Sequence, residues 1–127
     1  MDIRQLVLVC ENKDEAINNL CNLFDIRVAY HDPGIIFFGL ENALLPVGNT
    51  FIEVISPVEE GTTAGRFLER RKGDGGYMVI IQVDDFLKSK EKVIQRGIDI
   101  VFESDDPLAI VTKFLIFLLS SFSLSLK

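Results

Sequence analysis

Apolar positions along the chain follow strand and helix periods by turns, with glycine, proline and asparagine at the changeovers. The clearest run is residues 48–57. A Gly48-Asn49 turn leads into Thr50-Phe51-Ile52-Glu53-Val54-Ile55-Ser56-Pro57. Strand alternation puts Phe51, Glu53 and Ile55 on one face and Ile52 and Val54 on the other. Both faces are largely apolar, the pattern of a strand covered on both sides. Glu53 breaks that pattern, because a lone carboxylate among Phe and Ile is costly to bury without a partner. Two readings stay open for it. It is a metal ligand or acid–base group at the floor of a cavity, or it is an edge glutamate that reaches solvent or an arginine.

Before this run the pattern predicts a strand at 6–10, then a helix opened by Asn12. Glu15 stands three residues on, as in a capping box, and Ala16, Ile17, Leu20, Cys21 and Phe24 recur at helical spacing. Residues 25–30 read as a second strand, and His31-Asp32-Pro33-Gly34 as a turn in which proline and glycine set the backbone angles. A third strand is expected at 35–40, with 41–47 irregular. After 57 comes a short helix capped by Thr62 or Thr63. Ala64, Phe67 and Leu68 face inward from it, and Arg66, Arg70, Arg71 and Lys72 face outward.

The first pattern then recurs. Residues 77–83 read as a strand, Asp84-Asp85 as a helix cap, and Phe86, Val93 and Ile94 as the helix's apolar face; Gly97 ends it before a strand at 98–102. At one constant offset Gln5 lies over Met78, Asn12 over Asp85 and Leu20 over Val93, which implies an internal duplication of a strand–helix–strand unit. The second copy ends differently. No acid follows Asp106, residues 114–119 are continuously apolar, and Phe122, Leu124 and Leu126 alternate with serines. A buried strand, a Ser-Ser turn and a half-exposed strand fit that pattern. A membrane anchor over 108–126 fits less well, because it is barely long enough and contains Lys113.

The totals change this picture little. The 127 residues, 48% hydrophobic and 25% charged, suit one globular domain. A net charge of −6 argues against nucleic acid as a partner. Cys10 and Cys21 form neither a metal knuckle nor a disulfide framework and read as reduced, buried thiols of a cytoplasmic protein. The start, Met1-Asp2-Ile3-Arg4-Gln5, does not read as a signal peptide. With one histidine, placed in a turn, no Ser/His/Asp or Cys/His set can be assembled. The Lys72-to-Gly76 segment lacks the spacing of a phosphate loop.

The duplicated unit, the strand at 50–57 and the Gly76-to-Asp85 strand together resemble the glyoxalase-like, vicinal-oxygen-chelate superfamily. The resemblance covers residues 1–106, with a first module at 1–57 and a second from 77. Residues 107–127 are an atypical apolar tail that takes the place of the last two strands. It implies an α+β fold of paired βαβββ modules whose curled mixed sheet encloses a cleft, the second module irregular or incomplete. It also implies a small-molecule ligand, a homodimer, and metal-assisted lyase, isomerase or dioxygenase chemistry on zinc, nickel, manganese or iron. Gln5 and Glu53 fall on metal-ligand positions of the family, with Glu53 also the expected catalytic group. Met78 falls where histidine is usual, and thioether is a poor ligand for a hard divalent ion. No carboxylate follows for the fourth position, so the expected metal site is degenerate. Arg66, Arg70 and Met78 are the residues expected to meet the substrate. A non-catalytic ligand-binding or sequestering domain, and a truncated member with an altered C-terminus, are the alternatives.

Overall fold

The computed structural model describes the backbone of residues 1–105, 108–112 and 116–120, and side chains as far as Ser104. The expected strand at 122–126 and residues 114 and 115 lie outside that set. The chain forms two compact units: residues 5–77, and residues 78–127 together with the first four.

The first unit is built on β1 (Asp2–Val9), α1 (Lys13–Phe24), β2 (Leu40–Val47), β3 (Thr50–Pro57) and α2 (Thr63–Arg71). β3 pairs on one side with β1, parallel, and on the other with β2, antiparallel. The β2–β3 hairpin closes on Gly48-Asn49 with Val47 opposite Thr50. Gly48 at φ 59° supplies the positive angle that the primed two-residue turns need. α1 starts where the sequence says: the Asn12 side chain accepts from Glu15 N–H at 3.1 Å. Its Ala16, Ile17, Leu20 and Cys21 pack against buried Cys10, Leu45 and Val54, the core on that side of the sheet. Phe24, expected on the inner face, is 55% exposed in the last turn.

Two predicted strands take other forms. Residues 25–30 contribute only a bridge from Tyr30 to Leu44. Residues 33–38 coil into a 3-10 turn, because the Asp32 side chain accepts from Gly34 N–H at 2.8 Å and Pro33 stands in the first helical position. Their apolar character misled the periodicity: Ile36 and Phe37 are 59% and 79% exposed. Gly39 ends the turn at φ 67°, where a Cβ would come within 2.8 Å of Thr62 Cγ2. The segment expected to be irregular, 41–47, is strand β2 instead; its hairpin register outweighs the interruption by Pro46.

The second unit repeats the plan with β4 (Gly75–Val83), α3 (Phe86–Gln95), β5 (Ile100–Asp105), β6 (Leu108–Thr112) and β7 (Ile116–Ser120). β4 pairs parallel with β7, which pairs antiparallel with β6, which pairs antiparallel with β5. This is a βαβββ unit, and the apolar tail supplies its last two strands. Its β5–β6 pairing has a register shift between Ile100 and Phe102. α3 is capped by Asp85, which accepts from Lys88 N–H at 2.9 Å, and Phe86 packs with Val83, Ile81, Val93 and Ile100. Both units are α+β.

Candidate functional site

Strand register decides which side chains meet Glu53. On β1 and β3, Gln5 pairs with Phe51 and Val7 with Glu53. On β2, Leu44 pairs with Glu53 and Asn42 with Ile55. Directly paired residues share a sheet face, so Gln5, Val7, Asn42 and Leu44 lie on the face of Glu53, opposite the one that carries α1. Val7, Leu44 and Phe51 are buried there, and Glu53 is only 7% exposed.

The acid has one firm partner. Asn42 Nδ2 donates to Glu53 Oε1 at 2.6 Å. Asn42 is itself held from outside the strand, since Asp32 N–H donates to Asn42 Oδ1 at 2.9 Å. His31 Nδ1 lies 2.6 Å from the Asn42 carbonyl oxygen. The turn histidine thus ties the turn to β2. Burial pushes the Glu53 carboxyl above the ordinary glutamate range; the Asn42 hydrogen bond opposes this, and the nearby Asp32 charge adds to it. Glu53 Oε2 takes no hydrogen bond among the described residues. No fully buried side-chain oxygen there lacks a partner, so Oε2 is the oxygen that keeps contact with its surroundings.

The other expected site residues are spread more widely. Gln5 is half-buried on Glu53's face, one register step away along β1. Arg66 and Arg70 are exposed on α2, and both charges act on the buried Tyr77 hydroxyl, whose pKa burial raises and they lower. Arg66 is committed locally, to the Gly61 carbonyl oxygen and to Thr63 Oγ1. Arg70 has no such bond among the described residues and stays available. Tyr77 stacks edge-on against Phe67 with ring centres 5.2 Å apart. Met78 is half-buried on β4 and belongs to the second unit.

Among the described residues no three His, Cys, Asp or Glu side chains converge. The face offers one carboxylate, with one oxygen already taken by an amide N–H, and the neutral amide of Gln5. A divalent ion held for catalysis ordinarily has three protein ligands. Elsewhere in the unit, a cavity of about 350 Å3 lies against α1, lined by Leu8, Cys10, Ala16, Leu20 and Val54. Its one thiol is inert at neutral pH: burial, then the charges of Asp74 and Glu41, push Cys10 up to about 11.

No protein-family model and no curated protein matches the chain. Solved structures do. A variant of Streptomyces coelicolor methylmalonyl-CoA epimerase, in complex with 2-nitronate-propionyl-CoA, superposes with a TM-score of 0.81 over 97% of this chain and 96% of that one. Methylmalonyl-CoA epimerase from Mycobacterium tuberculosis gives 0.78 over 93% and 86%. A hypothetical protein from Bacillus halodurans C-125 gives 0.80 over 95% and 94%. The chain has the glyoxalase-like, vicinal-oxygen-chelate fold. Identities to these three proteins are 14%, 18% and 16% in that order, so the likeness is one of fold. Within that fold the chain puts Glu53 and Asn42 side by side on the middle of a sheet face. Sequence reasoning found the first and missed the second. The signal was there: the Gly48-Asn49 hairpin fixes the β2–β3 register, and that register puts Asn42 on Glu53's face.

Proposed function

We propose that this glyoxalase-like chain is a small-molecule-binding protein whose ligand meets Glu53, and that it works without a three-ligand divalent metal. The observation that carries this reading is the buried Glu53 carboxyl, with one oxygen tied to Asn42 and the other free. Burying an acid costs several kcal/mol unless something offsets it, so an acid buried beside Val7, Leu44 and Phe51 points to use rather than packing. The donor set supports the metal-free part. The fold's epimerases bound to CoA ligands support an acyl thioester as the ligand class, and Arg70 would meet an anionic group of it. Thermal unfolding with methylmalonyl-CoA or propionyl-CoA as the probe tests this. Stabilisation that persists in EDTA and shrinks in Glu53→Gln is expected; stabilisation that EDTA abolishes would overturn the metal-free reading.

A second reading has its own support. A carboxyl raised above the ordinary glutamate range is better matched to exchanging a proton near neutral pH than an ordinary one. Glu53 Oε2 would then take the proton from the carbon next to the thioester carbonyl, leaving an enolate, and return it to that carbon, the proton-exchange half of an isomerase reaction. Deuterium uptake at that carbon in heavy water, lost in Glu53→Gln, is the expected result. No uptake above the rate in buffer would leave the binding reading alone.

A further inference from the structure

We propose that Asn42 is a positioning residue for Glu53, fixing which carboxyl oxygen faces a ligand and linking the acid to the turn at residues 31–34. The proposal deepens the reading given above and rests on it for the ligand, although the link itself does not.

Three contacts build it. Asn42 Nδ2 holds Glu53 Oε1 at 2.6 Å, the Asp32 N–H holds Asn42 Oδ1 at 2.9 Å, and His31 Nδ1 lies 2.6 Å from the Asn42 carbonyl. The Asp32 bond fixes the amide's orientation: Oδ1 must face the N–H of the turn, so Nδ2 must face β3. Asn42 is 4% exposed, so neither end of its amide has water as a ready substitute. The carboxyl therefore cannot rotate freely, and Oε2 is the oxygen presented. Around it β1 offers Gln5 and Val7, β2 offers Leu44, and the turn packed on β2 offers Asp32 and His31 as its titratable side chains. The carboxylate of Asp32 is spent on Gly34 N–H at 2.8 Å, and its charge still reaches Glu53.

An Asn42 with no hold on the carboxyl would leave the titration of Glu53 unchanged, so the first arm of the test reads that titration, and probe binding reads its consequence for a ligand. The Glu53 side-chain carbonyl carbon is followed by 13C NMR from pH 3 to 9, on the order of the full carboxyl range, in the wild type and three variants. Asn42→Ala should move the midpoint up, because it removes the one hydrogen bond that favours the charged form. Asn42→Asp, of the same shape with no amide donor, should move it up as well. Asp32→Asn keeps the backbone N–H and the Gly34 contact, and should move it down. Asn42 is buried, so folding of each variant is checked by circular dichroism; the exposed Asp32 variant keeps the test open if the others unfold. Midpoints that match the wild type in every folded variant would overturn the proposal. With an acyl-CoA probe, Asn42→Ala should also weaken binding about tenfold, the worth of one hydrogen bond to a charged group. Shifted midpoints with no probe bound by any form would uphold the link and sink the ligand reading instead.

Discussion

In the first unit Val7 of β1 pairs with Glu53 of β3; in the second, Ile80 of β4 pairs with Phe117 of β7. The offset that lays Gln5 over Met78 lays Val7 over Ile80, so Glu53 and Phe117 hold equivalent positions. The neighbouring strand repeats the contrast. Asn42 stands opposite Ile55 on β2–β3, and Ala109 stands opposite Leu119 on β6–β7. One copy of the same plan carries an acid and its amide partner where the other carries phenylalanine and alanine. The equivalent positions of the second copy are apolar in sequence, which is the contrast that motivates the proposal for the pair in the first unit. In sequence, the second copy carries Met78 and Phe117 at the positions equivalent to Gln5 and Glu53, and neither residue type is a good ligand for a hard divalent ion.

The comparison can be broken in several ways. The largest effect should come from the layer that both copies share with any βαβ unit. Leu45 is fully buried beneath α1, and Leu45→Ala should cost about 3 kcal/mol, read as a lower urea midpoint. A loss well under about 1 kcal/mol would mean that α1 does not close the core of the first unit.

Glu53 should come next, through pH. Its folded pKa is raised above the unfolded value, so the folded state holds the proton more tightly. The acid therefore costs nothing below the ordinary glutamate range, and stability falls as pH rises from there through the raised pKa. Glu53→Gln should remove that part of the slope and be the more stable protein at neutral pH. Parallel wild-type and variant curves of urea midpoint against pH would show that Glu53 titrates normally. A change at Phe86, the buried anchor of the second unit, should lower stability without altering that slope.

Helix caps should show the likeness of the two copies rather than their difference. Asn12→Ala and Asp85→Ala each remove a side chain that accepts from the third residue on, and each should cost about 1 kcal/mol. Clearly unequal losses would argue against equivalent helix starts. The smallest effect belongs to Asp32→Asn, which should only make the pH slope assigned to Glu53 shallower.

Much of this was legible beforehand. A cap at Asn12, caps narrowed to Thr62 or Thr63 and to Asp84-Asp85, of which Thr62 and Asp85 do the capping, and the strands at 50–57 and 77–83 all rest on local chemistry that tertiary contacts reinforce. The misreadings fall where local chemistry and hydrophobic pattern disagree. Ile35-Ile36-Phe37-Phe38 looks like a strand, but Asp32 and Pro33 begin a helical turn first. Residues 41–47 are expected to be irregular, yet the Gly48-Asn49 hairpin turn directly after them dictates their pairing with β3. Glu53 was visible because an acid among Phe and Ile stands out. Asn42 was not, because its importance lies in a cross-strand position rather than in its own surroundings.

The most direct test is calorimetric titration of methylmalonyl-CoA into the wild type and Glu53→Gln, each with and without EDTA. Binding to the wild type unaffected by the chelator, and about tenfold weaker in the variant, is the predicted result. Binding that EDTA abolishes, or that the loss of the Glu53 charge leaves unchanged, would contradict it.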